Sequence, residues 1–315
     1  MKNKKKLIKL NDKIFLTGHN GLVGSSVLKK LKEKGFKKII VVNKKNLNLL
    51  DQNKVLKFFK KNKPKALIIC AARVGGVNAN KNRKADFIYE NLTIQNNLIY
   101  GAFLNKVERL VFLGSSCIYP SKSKQPIKEK YLLTGPLEKT NDAYAIAKIA
   151  GIKYCQSLNE QYKKNYICLM PANVFGIKDN YDLESSHFIP ALVRKVHTAI
   201  ERKKKFVEVW GTGLPKREIM YVDDLADAIV FFLNKKTTES LINIGTGFER
   251  TINQFAKILI DISGKKLRIK NIKKDLNGVN RKLLNIDLAK KYGWKSKNDI
   301  LKKLSETYNS YKSTI

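Results

Sequence analysis

Lys13-Ile14-Phe15-Leu16-Thr17-Gly18-His19-Asn20-Gly21-Leu22-Val23-Gly24 decides the fold. Ile14 to Leu16 form a short apolar run of the kind found in strands covered on both faces. Gly18, Gly21 and Gly24 follow with the spacing Gly-x-x-Gly-x-x-Gly, and a helical pattern then runs through Leu28 and Leu31 to Gly35. In a strand–loop–helix unit, glycines let the backbone approach a pyrophosphate while the helix N-terminus faces its charge. The same glycines outside that context would be a plain tight turn; the flanking strand and helix make them a dinucleotide-binding loop.

The pattern repeats outward from this loop. Lys38 to Val42, Ala66 to Cys70, Arg109 to Leu113 and Tyr166 to Met170 read as further strands, the last halted by Pro171. Between them, helices are expected from Asp51 through Val55, Leu56, Phe58 and Phe59, from about Ala85 to Asn105, and from Asn141-Asp142, two good capping residues, to about Tyr162. Strands alternating with helices predict an α/β fold of the Rossmann type, a doubly wound parallel sheet. After about Asn173 the strands shorten and loops increase, with a helix from Asp223-Asp224 and a strand at Leu241 to Ile244. This predicts a nucleotide-binding domain over 1–172. A smaller, interleaved α/β substrate-binding lobe follows over 173–315, some of its segments returning to the first sheet.

With 315 residues, 43% hydrophobic and 28% charged, the chain can bury a substantial core. No apolar run approaches the ~18–20 residues of a membrane span, and the basic start lacks the apolar stretch of a signal peptide, so a cytoplasmic protein is expected. Net charge is +37, from 63 Lys and Arg against 26 Asp and Glu. The lysines are spread over nearly every expected helix and no nucleic-acid module is recognisable. The charge therefore reads as compositional bias that attracts anionic ligands such as nucleotides, with no dedicated nucleic-acid partner. Cys70, Cys117, Cys155 and Cys168 form no Cys-x-x-Cys pair, and the chain has 3 histidines, which argues against a zinc site. Cys70, Cys155 and Cys168 read as packed core residues.

Cys117 differs, because it lies in Gly114-Ser115-Ser116-Cys117-Ile118-Tyr119-Pro120 and a helix further on carries Tyr144-Ala145-Ile146-Ala147-Lys148. Tyr144 and Lys148 are one helical turn apart, so they share a face. A lysine ammonium beside a phenol favours the phenolate and is expected to lower the Tyr144 pKa, making it an acid or base for a carbonyl or alcohol. Ser115 could donate to the same oxygen. A thiol in such a set could take a proton from a carbon next to a ketone. The end of the second strand indicates the cofactor. Val42-Asn43-Lys44-Lys45 has no carboxylate for a ribose hydroxyl, while Lys44 or Lys45 could meet a 2′-phosphate, so NADP is expected over NAD.

Taken together, the glycine loop, Ser115 and Tyr144-x-x-x-Lys148 resemble the extended short-chain dehydrogenase/reductase family. The likeness extends through Ala71 to Val77, Met170 to Gly176, Ser186 to Leu192 and Trp210 to Glu218. It is tightest to members that epimerise C3 and C5, and then reduce C4, of a GDP-linked 4-keto-6-deoxymannose. The resemblance implies that Cys117 removes the C3 and C5 protons and His187 returns protons from the opposite face. NADPH would then deliver hydride to C4, Tyr144 would protonate the alkoxide, Lys148 would lower the Tyr144 pKa and hold the nicotinamide ribose, and Ser115 would bind the C4 oxygen. It also implies cofactor contacts from Gly18, Asn20, Gly21, Leu22, Val23 and Gly24, from Asn43 and Lys44, from Leu113, Gly114, Ser115 and Ser116, from Pro171, Asn173 and Val174, and from Tyr144, Lys148 and His187. Lys195, Trp210, Arg217 and Asn277 would contact the GDP-sugar.

Some positions depart from the family's pattern. Lys195 stands where an arginine is usual and Asn20 where a basic residue is common. Asn277 takes an aspartate position, with Asp275 just before it. The rival readings are a 4-epimerase or reductase of the same family, a 4,6-dehydratase, and a non-catalytic NADP sensor or nucleic-acid binder. A dehydratase would carry an acidic pair where Ser116-Cys117 stands, and the Ser115/Tyr144/Lys148 set speaks against a non-catalytic protein. Relatives pair the helix of Tyr144 and the preceding long helix into a four-helix bundle, so a homodimer is expected.

Overall fold

The apolar runs form strands and the segments between them helices in the computed structural model, which describes residues 7–272 and 278–314. In chain order the first part comprises β1 (Ile14–Thr17), α1 (Leu22–Glu33), β2 (Ile39–Ile40), α2 (Gln52–Asn62), β3 (Ala66–Ile69), α3 (Val77–Asn82), α4 (Lys84–Leu104), β4 (Arg109–Leu113), α5 (Asp142–Tyr162) and β5 (Asn165–Pro171). The rest comprises β6 (Asn173–Phe175), α6 (Phe188–Glu201), β7 (Phe206–Trp210), β8 (Lys216–Tyr221), α7 (Val222–Leu233), β9 (Leu241–Ile244), β10 (Glu249–Thr251), α8 (Ile252–Ile262), β11 (Arg268–Ile272), β12 (Arg281–Lys282), α9 (Asp287–Lys291) and α10 (Ile300–Lys312).

The main sheet has the order β2-β1-β3-β4-β5-β9, parallel throughout. Every residue of β1, β3 and β4 is buried, as expected of strands with helices on both faces. α1 packs on α7, and α4 on α2 and α5. From β1 the chain goes outward to β2 on one side and then crosses to β3 on the other. A crevice therefore opens at the carboxyl ends of β1 and β3, where such sheets bind ligands.

Two expectations need adjusting. The second strand is laddered only at Ile39–Ile40. Being an edge strand, it leaves the ladder early, and Val41 and Val42 pack on the core from an irregular segment that carries Asn43 and Lys44 to the crevice. Asn141 does occupy the N-cap of α5 but makes no capping bond; its side-chain oxygen is buried without a partner among the described residues. Asp142 instead accepts from its neighbour Ala143 N–H (2.8 Å) and from Lys84 Nζ (2.8 Å).

Two apolar clusters result. The larger surrounds the main sheet; the second includes Phe175, Ile189, Val207, Ile219, Phe255 and Leu304. The chain does not simply pass from one to the other. β9 joins the main sheet beside β5, and Leu284, Ala289 and Trp294 pack on the first cluster before Ile300 and Leu304 return to the second. The smaller strands form β10-β8-β12, with β6 also on β8, and a separate β7–β11 pair. Buried Glu218 joins the pieces, accepting from Thr246 N–H (2.7 Å), Gly247 N–H (2.7 Å) and Leu284 N–H (2.9 Å). Removing water raises the pKa of this carboxyl, and the three backbone donors oppose the rise.

Candidate active site

A cavity of about 1000 Å³ lies over the carboxyl ends of the main strands and extends under the smaller sheet. One end is the glycine loop. Gly21 caps α1, whose first turn carries no acidic side chain, so its free N–H groups face the cavity without a competing anion. Gly24 is dictated by packing: a Cβ there would lie 2.1 Å from the Gly18 carbonyl oxygen. Asn20 donates to Asn43 (2.9 Å), joining the loop to the segment after β2. Lys44 lines this end; Lys45 is not among the lining residues. Helix N-terminus, close backbone and adjacent cation together fit a dinucleotide with an additional phosphate.

The middle of the cavity holds the β4 loop and α5. Ser115 caps a short turn at Ser116–Ile118, its Oγ accepting from Cys117 N–H (3.2 Å). Tyr144 and Lys148 share one face of α5 as the spacing predicted, and the Ser115 hydroxyl lies near enough to the Tyr144 phenol to favour its ionised form. Their electrostatics differ from the expectation. The Tyr144 pKa is raised, chiefly by desolvation and further by the nearby Cys117, while the Ser115 hydroxyl opposes the rise. Lys148 does not offset this. Its Nζ donates to Leu113 O (2.9 Å), lies 5.8 Å from the Tyr144 ring centre, and is itself pushed down to about 8 by burial. Sequence spacing placed the pair correctly but could not reveal that both groups are desolvated.

His187 is the N-cap residue of α6, and its ring projects into the cavity. The ring is exposed to that space yet surrounded by protein, and the loss of water around it lowers its pKa. The approach to His187 is fixed from two sides. Asp182 Oδ1 accepts from Glu184 N–H (3.1 Å), Ser185 N–H (3.0 Å) and Ser185 Oγ (2.8 Å). Gly76 N–H donates to Ser185 O (2.8 Å), and a Cβ on Gly76 would lie 2.1 Å from Ser186 O. Asn91 of α4 anchors the glycine's own loop, accepting from Arg73 N–H (3.0 Å) and donating to Arg73 O (3.0 Å). Gly75 and Gly76 stood in a segment noted in the sequence, but their use as a clasp on the His187 loop depends on long-range contact.

The far end is made by α6, β7 and β8. Lys195, Trp210 and Arg217 all line it. Lys195 Nζ lies 4.0 Å from the centre of the Trp210 ring, so one indole face already carries a cation. Burial lowers the Arg217 pKa, with Cys117 and Glu138 close enough to oppose the change. Asn277, together with Asp275, lies outside the described residues. Sequence reasoning missed Lys282, whose Nζ is 3.6 Å from Cys117 Sγ; the adjacent basic pair Arg281-Lys282 was its only local sign. The other residues expected to contact cofactor or substrate line the same cavity, as does Cys117.

Fold and cavity define a class. The chain belongs to the NAD dependent epimerase/dehydratase family, whose profile matches residues 14–245. It is 44% identical to the GDP-L-fucose synthase of Sinorhizobium fredii over 96% of both chains. Among solved structures it resembles a GDP-6-OMe-4-keto-L-xylo-heptose reductase from C. jejuni, with TM-score 0.91 and 33% identity over 98% of this chain and 99% of that one. A GDP-L-fucose synthetase from Naegleria fowleri bound to NADP matches with TM-score 0.88 and 25% identity over 100% of this chain and 98% of that one. The family resemblance read from the sequence is borne out.

Proposed function

We propose that this protein converts GDP-4-keto-6-deoxy-D-mannose to GDP-L-fucose, epimerising C3 and C5 and then reducing C4 with NADPH. One observation carries the reading: Cys117 and His187 line the same cavity as Ser115, Tyr144 and Lys148. A reductase needs only the last three; a thiol and an imidazole add the base and acid that an epimerisation requires. The identity to GDP-L-fucose synthases supports the substrate assignment.

Each residue then has a task. Cys117 takes the proton from C3 or C5, the C–H electron pair passes into the enolate, and His187 supplies a proton to the opposite face. Ser115 and Tyr144 hold the C4 oxygen, where the negative charge gathers. When bound, NADPH supplies hydride to C4, and Tyr144 gives its proton to the alkoxide. A Tyr144 phenol held protonated by burial suits a proton donor. Lys148 orients the nicotinamide ribose. Gly18, Gly21 and Gly24 with the N-terminus of α1 receive the pyrophosphate, and Lys44 the 2′-phosphate. The lobe over 173–315 binds GDP through Lys195, Trp210 and Arg217. The protein acts in the cytoplasm as a homodimer.

The test is to mix protein, NADPH and GDP-4-keto-6-deoxymannose, follow NADPH oxidation, and identify the sugar by NMR. GDP-L-fucose is the expected product. A reduced but unepimerised sugar would instead support a C4 reductase, the activity named for the C. jejuni relative.

A further inference from the structure

Cys117 sits beside a cation supplied from a distant part of the chain. Lys282 Nζ lies 3.6 Å from its Sγ, although the residues are 165 positions apart. Several bonds fix the lysine there. Within the parallel β8–β12 pair, Lys282 stands in register with Arg217. On the other side, Ile127 N–H donates to Leu283 O (2.7 Å), Leu283 N–H to Gln125 Oε1 (2.9 Å), and Gln125 Nε2 to Arg281 O (3.1 Å). The segment carrying Lys282 is thus held between β8 and the stretch that follows the Cys117 turn.

The other groups facing Cys117 are of two kinds. Ser115, whose Oγ accepts from Cys117 N–H, and Tyr144 stand beside it, and Lys148 is engaged with Leu113 O. Arg217 adds a second positive charge from β8, with Glu138 close to that guanidinium. His187 lines the same cavity. Among the described residues, Lys282 stands in contact with the sulphur. An ammonium beside a sulphur stabilises negative charge on it.

We propose that Lys282 is a positioning residue for epimerisation, its ammonium held beside the sulphur with which Cys117 acts as the base. The inference rests on the functional reading above and extends it to a residue outside the Ser/Tyr/Lys set. In the step, the thiolate takes the proton from carbon, S–H forms as C–H breaks, and the electron pair moves into the enolate. Negative charge leaves the Lys282 neighbourhood for the C4 oxygen, and solvent later recovers the proton from Cys117.

The experiment measures iodoacetamide alkylation of Cys117, read by mass spectrometry of its peptide, in the full protein without substrate or cofactor. Lys282→Met is expected to slow alkylation at pH 7 about tenfold, because the reacting sulphur loses its neighbouring cation. Lys282→Arg should recover a measurable part of the rate. If Lys282→Met does not fold, Lys282→Gln is read in its place. Equal rates in the native protein and the uncharged variant at pH 7 would overturn the proposal. So would an arginine variant as slow as methionine, since the loss would then come from shape and not charge. Because alkylation requires no turnover, an intact pair with no GDP-sugar activity would count against the functional reading alone.

Discussion

Burial moves Tyr144 and Lys148 toward their neutral forms, raising one pKa and lowering the other. The Lys148 value falls from 10.5 to about 8, and the sign of its effect on stability follows. Below pH 8 the amine is charged in folded and unfolded chains, and the full burial penalty, roughly 3 kcal/mol, is present. Between about 8 and 10.5 the unfolded chain binds a proton that the folded one lacks, so stability rises with pH. Urea melts of native protein and Lys148→Met should show the native form gaining on the variant between pH 7.5 and 10. A constant difference would refute the burial argument. In catalysis, Tyr144→Phe should lower NADPH oxidation about a hundredfold or more while leaving NADPH binding nearly intact. Loss of binding in a titration would give Tyr144 a structural role instead. Positions were legible at this scale because Tyr144, Lys148 and Ser115 lie in short local patterns. Their ionisation was not, because it depends on how much protein surrounds each group.

Among the elements, the glycine loop was the most legible, since its spacing, strand and helix are adjacent in sequence. The capping of α5 and the end of β2 were less so: Asn141 and Val41 have suitable types, but neighbouring elements decide how they are used. Least legible were contacts between distant segments, such as β12 beside β8 or Gly76 against the loop before His187. That last contact gives a test. Gly76→Ala places a Cβ 2.1 Å from Ser186 O, so the loop must move and take His187 with it. Deuterium incorporation at C3 and C5 of the substrate should fall at least tenfold, on the view that small misplacements of a reacting group are costly. NADPH affinity should change little, because the glycine loop is untouched. Unchanged exchange would show that His187 does not depend on the clasp.

For the molecule as a whole, the proposed dimer can be argued from what α4 and α5 leave uncovered. Tyr89 is 64% exposed, Tyr100 38%, Ile146 47% and Tyr162 48%, all on these two helices. Large apolar side chains left exposed on two packed helices suit burial by a partner, and a second copy presents the same pair of helices. Ile146→Glu should convert a dimer to monomer in light scattering. With a net charge of +37, the native dimer should also weaken at low salt. A native protein monomeric at all salt concentrations would reject the dimer.

The returns of the chain to the main sheet have a consequence for how such a protein can change. β9 completes that sheet, and Leu284, Ala289 and Trp294 complete its core, after the chain has already built part of the second cluster. No single cut yields two pieces that each keep a whole interior. Recombination at one crossover would therefore damage both halves, and the part after Asn173 is not a cassette to be exchanged. New sugar preferences must arise by substitution in place, one residue at a time, with the shared core conserved around them.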